Sequence, residues 1–200
     1  MHRTLFSVAL AAAFALTALT PQTTRAADGT ITYNGAVTDT TCTVTGGGAA
    51  SGAGNVTVQL PSVSANILST AGLTAGKTPF SLILGGGAQC ANGKTASLWV
   101  ETATTTALDN ATGALRNQTV GGADNVQVQL VNPANSQTID LGVNAIVDPG
   151  SSVVAASNQP AATIAGNTAT LNYEAQYLTV GGAATPGAVA TVLTYSMQYN

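Results

Sequence analysis

Chemistry in a protein needs ionisable or nucleophilic side chains at workable spacings, and this chain of 200 residues carries few of them: five Lys or Arg, eight Asp or Glu, one His and two Cys. The single histidine, His2, lies beside the amino terminus, ahead of an apolar run. The rest of the chain therefore has no imidazole to serve as base or ligand. Asp140 and Asp148 have no spacing that joins them as an acid–base pair, and they read as solvated turn residues. Lys77 and Lys94 each follow a glycine in a turn, which argues against a Ser–Lys dyad. The GGG stretches lack the Lys and Ser/Thr of a phosphate loop, so they read as loop glycines. Asn55, Asn110 and Asn117 open N-x-[ST] triplets, which a threonine-rich chain produces by chance. The expectation is a protein that is not an enzyme and has neither cofactor nor metal.

Cys42 and Cys90 remain, and their state depends on compartment. Residues 1–26 begin with Arg3, continue through an apolar run from Leu5 to Leu19 and end in the polar stretch PQTTRA. This is the pattern of a secretory signal peptide, with small residues at Thr24 and Ala26 suiting cleavage before Ala27. The run is shorter than the roughly 20 residues a membrane-spanning helix requires. An exported chain meets an oxidising environment, so one disulfide is expected in preference to two free thiols. The mature chain keeps Lys77, Lys94 and Arg116 against eight acidic residues, a net charge of −5. No basic surface is left for nucleic acid. A face hydrated mainly by Thr, Asn, Gln and Ser offers little repulsion to a second copy.

The elements that carry these residues read as strands. Apolar runs of strand length occur over 79–84, 96–101, 126–131, 169–180 and 188–199, separated by glycine, proline and Asx clusters. The stretch NVTVQLPSV adds a strand with Val56, Val58 and Leu60 inward, ended by Pro61. The glycine-rich segment Gly46 to Gly54 reads as a flexible connection. The one helical pattern is Val63 to Leu68. About seven short strands with turns between them fit an all-β sandwich of immunoglobulin type, with a barrel as the other architecture. The Cys, Trp, Cys order of antibody domains is missing, because Trp99 follows the second cysteine.

The two ends stand out. From Gly29 the chain alternates, with Gly29, Ile31, Tyr33, Gly35 and Val37 on one face. At the other end Val189, Leu193, Tyr195, Met197 and Tyr199 share a face with Thr191, and Asn200 follows, leaving no sequence for a strand to pair beyond it. The 15 residues from Ala27 to Thr41 would reach about 50 Å if extended. If they project from the body, an apolar edge is left exposed that another chain must fill.

ADGTITYNGAVTDTTC, from Ala27 to Cys42, resembles the N-terminal extension and first strand of type 1 fimbrial subunits. NTATLNYEAQYLTVGGAATPGAVATVLTYSMQYN, from Asn167 to Asn200, resembles the end of their major pilin, including Gly187 and the penultimate Tyr199. For chaperone-usher pilins the resemblance implies an incomplete immunoglobulin-like sandwich that lacks its last strand. A periplasmic chaperone lends that strand, and assembly at an outer-membrane usher exchanges the loan for a neighbouring subunit's extension. It implies a signal peptide over 1–26, a donor extension over 27–41 and a pilin domain over 42–200. Gly29, Ile31, Tyr33, Gly35 and Val37 would be the donor positions. Gly187, Val189, Leu193, Tyr195, Met197 and Tyr199 would line the acceptor groove and the chaperone contact. The sequence departs from the family in its glycine-rich 46–54 stretch and its sparse charge. The implied partners are identical or related pilins, chaperone and usher. The expected role is a structural fimbrial subunit; a minor tip subunit or a one-domain adhesin for a host glycan is the alternative. Burying three or four large donor side chains would contribute on the order of 5 to 12 kcal/mol.

Overall fold

The structure, a computed structural model, describes residues 40–200. The leader expected over 1–26 and the donor positions Gly29, Ile31, Tyr33, Gly35 and Val37 lie outside the described residues. The described chain is all-β apart from two short 3-10 turns, Ala65–Leu68 and Gly87–Gln89. The first is all that forms of the helical pattern over Val63 to Leu68, and the Ser64 hydroxyl caps it by accepting from Asn66 N–H at 3.3 Å.

One sheet contains β1 (Thr43–Gly48), β4 (Thr74–Gly85), β12 (Ala169–Thr179), β8 (Val126–Asn132), β7 (Ala114–Arg116) and β6 (Leu108–Asp109) in that spatial order, with β9 (Gln137–Thr138) also on β8. The second runs β10 (Val153–Val154), β11 (Gln159–Thr163), β5 (Thr95–Val100) and β13 (Tyr195–Tyr199), which leaves β13 at an edge. A small ribbon pairs β2 (Ala50–Ser51) with β3 (Thr57–Val58). Every strand pairing among the described residues is antiparallel.

Alternation explains the core between the two main sheets. In β12 the residues Ala169, Leu171, Tyr173 and Ala175 are buried while Thr170 and Asn172 face solvent. Leu82 and Leu84 of β4 join them, with Ala96, Leu98 and Val100 from the opposite sheet. Phe80 and Tyr173 are cross-strand partners whose rings stack at 5.3 Å between centroids. β8 is buried on both faces, so its glutamines need partners. Gln127 accepts from the Thr112 hydroxyl at 2.6 Å and donates to Asp109 at 2.7 Å, and Gln129 accepts from Gln176 Nε2 at 2.9 Å.

Three expectations are corrected. The strand predicted over 79–84 begins five residues earlier, at Thr74, because a bulge carries it past Gly76. Gly76 has φ +70°, and a β-carbon there would press on the Tyr177 ring at 3.0 Å. The glycine-rich 46–54 segment is folded rather than a flexible connection. Gly46 N–H donates to Gly52 and Gly54 N–H to Val44, with Gly48, Gly52 and Gly54 all at positive φ. The strand expected from Asn55 and ended by Pro61 makes ladder pairs only at Thr57–Val58, although Val56, Val58 and Leu60 do point inward.

Candidate functional site: an unpaired strand edge over an open groove

The C-terminal segment, expected as one strand over 188–199, divides in two. Tyr195–Tyr199 pairs with β5 from Val100 to Ala96, while residues 187–194 belong to no ladder. Both parts keep the expected alternation: Val189, Thr191, Leu193, Tyr195, Met197 and Tyr199 are half-buried, and Ala188, Ala190, Val192, Thr194 and Ser196 are exposed. None of the inward side chains is fully covered.

The backbone explains why. Residues with even numbers point their N–H and C=O away from the core groove, toward neighbouring loops. Ala188 O accepts from Ala123 N–H at 3.0 Å, Ala190 O accepts from Gln118 N–H at 2.8 Å, and Thr194 O accepts from Glu101 N–H at 2.9 Å. Asn200 and Thr95 exchange both of their bonds, at 3.0 and 2.8 Å. In an antiparallel ladder the pairs then alternate, so the backbone groups of Tyr195, Met197 and Tyr199 face away from β5. Those of Val189, Thr191 and Leu193 form no backbone hydrogen bond among the described residues. The result is one continuous open strand edge, a feature that folded proteins normally pair or block.

This edge overlooks a cavity of about 480 Å³, floored by Phe80, Leu82, Leu115, Val128, Leu130 and Ala175. Its opposite bank is the 56–60 segment. A second cavity of about 370 Å³ shares Leu60, Tyr177 and Val189 with the first and extends it past Gly187. The two form one trough between the sheets. Tyr177 steadies the far bank by donating from its hydroxyl to Pro61 O at 3.2 Å.

Asn117, which sequence reasoning left without a role, holds the near bank. Its amide donates to Ala123 O and Ala188 O, both at 2.9 Å, while its Oδ1 accepts from Ala190 N–H at 3.0 Å and Thr119 N–H at 3.1 Å. One side chain thus substitutes for a neighbouring strand. The N-x-[ST] triplet around it carries no signal of this, since the amide's role depends on residues some 70 positions away.

Of the residues expected in the groove, Gly187, Val189, Leu193 and Tyr195 line the trough. Met197 and Tyr199 do not; they pack on the main core instead. Tyr199 also accepts a hydrogen bond at its hydroxyl from Cys42 N–H at 3.3 Å. Tyr195 donates from its hydroxyl to Gly54 O at 2.7 Å, closing one end of the trough. Burial raises the pKa of both phenols above the usual value, opposed in Tyr199 by the Cys42 N–H. Each remains neutral and able to bond as described. Cys42 and Cys90 form a disulfide with a Cα–Cα distance of 4.5 Å. Asp140 closes a turn by accepting from Gly142 N–H at 2.8 Å. Among the described residues no three His, Cys, Asp or Glu side chains group in a way that would hold a metal. The trough thus sets an apolar floor beside a row of unpaired backbone donors and acceptors.

The family model described as FimA, type-1 fimbrial protein A, matches residues 60–200. The chain is 38% identical over 184 residues to the major fimbrial subunit SMF-1 of Stenotrophomonas maltophilia, covering 92% of this chain and 99% of that one. It is 39% identical over 193 residues to the F17 fimbrial protein of Escherichia coli, covering 92% of this chain and 94% of the other. Among solved structures, the CupB6 tip adhesin of Pseudomonas aeruginosa matches with a TM-score of 0.50 and 17% identity, over 70% of this chain and 34% of the adhesin. That likeness speaks for the immunoglobulin-like sandwich alone. With most of its length matched by the family model and by curated relatives, the chain belongs to the type-1 fimbrial proteins, a family of structural pilus subunits and not a class of enzymes.

Proposed function

We propose that this chain is a rod subunit that polymerises by donor-strand exchange, the trough of one copy receiving residues 29–37 of the next. The observation that carries the reading is the row of unpaired backbone groups at Val189, Thr191 and Leu193 above an open apolar trough. An occupant must supply a backbone edge and an apolar stripe together, and an alternating β-strand supplies both. The chain's own 29–37 segment has this pattern and precedes the described domain. Because the donor comes from a neighbour, the contact is head to tail and propagates into a fibre.

In this reading residues 1–26 direct export and are removed, 27–41 form the extension and 42–200 the pilin domain. A periplasmic chaperone covers the trough before assembly, an outer-membrane usher hosts the exchange, and the fibre stands on the cell surface. The kinship with a relative named as a major subunit favours the rod over a tip position. Deleting residues 29–37 from the gene tests the proposal by electron microscopy of the producing cell. Loss of filaments with the subunit still exported is expected. Normal filaments assembled from the shortened subunit would overturn it.

A further inference from the structure

Resting on the reading of the trough as a strand acceptor, we propose that the hydrogen bond from Tyr195 to Gly54 is an end-stop that fixes how far the incoming strand enters, and so its register. Tyr195 is the last residue of the C-terminal segment to line the main cavity, and Val56 is the first of the facing bank. Gly54 stands two residues before Val56, so the 2.7 Å bond from the Tyr195 hydroxyl to the Gly54 carbonyl ties the two banks together where the trough ends.

Beyond this tie, β13 continues with its edge toward the first strand's side of the domain. There the Tyr199 hydroxyl takes the Cys42 N–H, and neither Met197 nor Tyr199 lines the cavity. The glycine-rich loop holds Gly54 in place through its own bond to Val44 O at 2.8 Å. The stop is therefore anchored on β1 rather than carried by a free loop.

The accessible edge from Val189 to Tyr195 spans seven residues, and so does the stretch from Ile31 to Val37. Each presents four inward positions. Antiparallel pairing, the more stable kind, sets Val37 beside Val189, Gly35 beside Thr191, Tyr33 beside Leu193 and Ile31 beside Tyr195. The next inward residue, Gly29, then falls at the tie, and it has no side chain to be accommodated there. A strand displaced by two residues would keep its apolar face inward, so alternation alone does not select among even registers. The closed end supplies the missing choice.

The test refolds the full chain at low concentration with an excess of synthetic peptide, so that the peptide outcompetes the chain's own segment; retained peptide and melting temperature are read. Lengthening a peptide of residues 31–37 to 29–37 should change its affinity less than about two-fold, where added ladder bonds in an open groove would give about five-fold or more. On the wild-type chain a Gly29→Val peptide should bind about ten-fold more weakly than the 29–37 peptide, the scale of an overpacked contact. On the Tyr195→Phe chain that penalty should largely vanish. If the longer peptide gains five-fold on the wild-type chain, or Gly29→Val is penalised equally on both chains, the end-stop is refuted while the acceptor reading stands. If no peptide binds the wild-type chain, the acceptor reading falls, and the end-stop with it.

Discussion

Gly187 lies against Gly122 so closely that a β-carbon on Gly187 would stand 2.5 Å from the Gly122 carbonyl carbon and 2.4 Å from Ala123 N. The contact is reciprocal, since a β-carbon on Gly122 would stand 2.3 Å from Ala188 O. Backbone lies on backbone here, so no rotamer change relieves the overlap. The near bank of the trough depends on this contact for its position at the entrance. Replacing Gly187 by Ala should cost about 1–3 kcal/mol in urea denaturation, the range for overpacking. Gly182→Ala, whose β-carbon would meet Asn125 Nδ2 at an ordinary 3.5 Å, should change stability by less than about 0.5 kcal/mol.

Asn117→Ala removes four hydrogen bonds at once, two to the segment's outer edge at Ala188 and Ala190 and two to its own loop at Thr119 and Ala123. A loss of about 1–3 kcal/mol is expected, with faster hydrogen exchange at the Ala190 amide, which donates to Asn117 Oδ1. Asn117→Asp should be at least as damaging. It keeps the acceptors but sets a carboxylate against the carbonyls of Ala123 and Ala188.

The disulfide from Cys42 to Cys90 closes a separation of 48 residues at the start of the described domain. It fixes Cys42 where its N–H reaches Tyr199 at the end of β13. Replacing both cysteines by Ala should lower stability by up to about 4 kcal/mol in the chain-entropy account. The measurement is the shift in denaturation midpoint between the variant and the parent.

Acid should weaken the domain through Asp109. Its pKa is lowered from 3.8, chiefly by the Ala111 N–H and then by Gln127, against the opposing effect of burial, with Arg116 adding to the lowering. A carboxylate depressed on folding contributes stability that is complete above its unfolded pKa and is lost as pH falls through the folded value. Asp109→Asn should therefore be less stable than the parent at pH 7. The gap should narrow as pH falls below about 4, the ordinary range for Asp.

What the sequence made legible followed from alternation. β12 and β8 lie almost where their apolar runs place them, and the inward stripe from Val189 to Tyr199 keeps its face throughout. The halves of that stripe differ for a reason periodicity does not encode: Tyr195–Tyr199 has β5 beside it, while the earlier half leans on Asn117 and the 118–123 loop. Gly46 to Gly54 misled because composition suggests freedom, whereas the positive φ angles of Gly48, Gly52 and Gly54 are used to make a fixed turn. The start of β4 was hidden by Gly76, Lys77 and Pro79, turn residues by type that here sit in a bulged strand. The tie from Tyr195 to Gly54 joins residues 141 positions apart, and no local pattern announces it.

The central claim is that the trough is a place for an extended strand of the chain's own N-terminal type. It is tested most directly by appending a second copy of residues 27–41 after Asn200 through a short linker. A soluble monomer that no longer assembles, with a melting temperature well above the parent's, is the predicted result. An appended copy that alters neither assembly nor melting temperature would contradict the account.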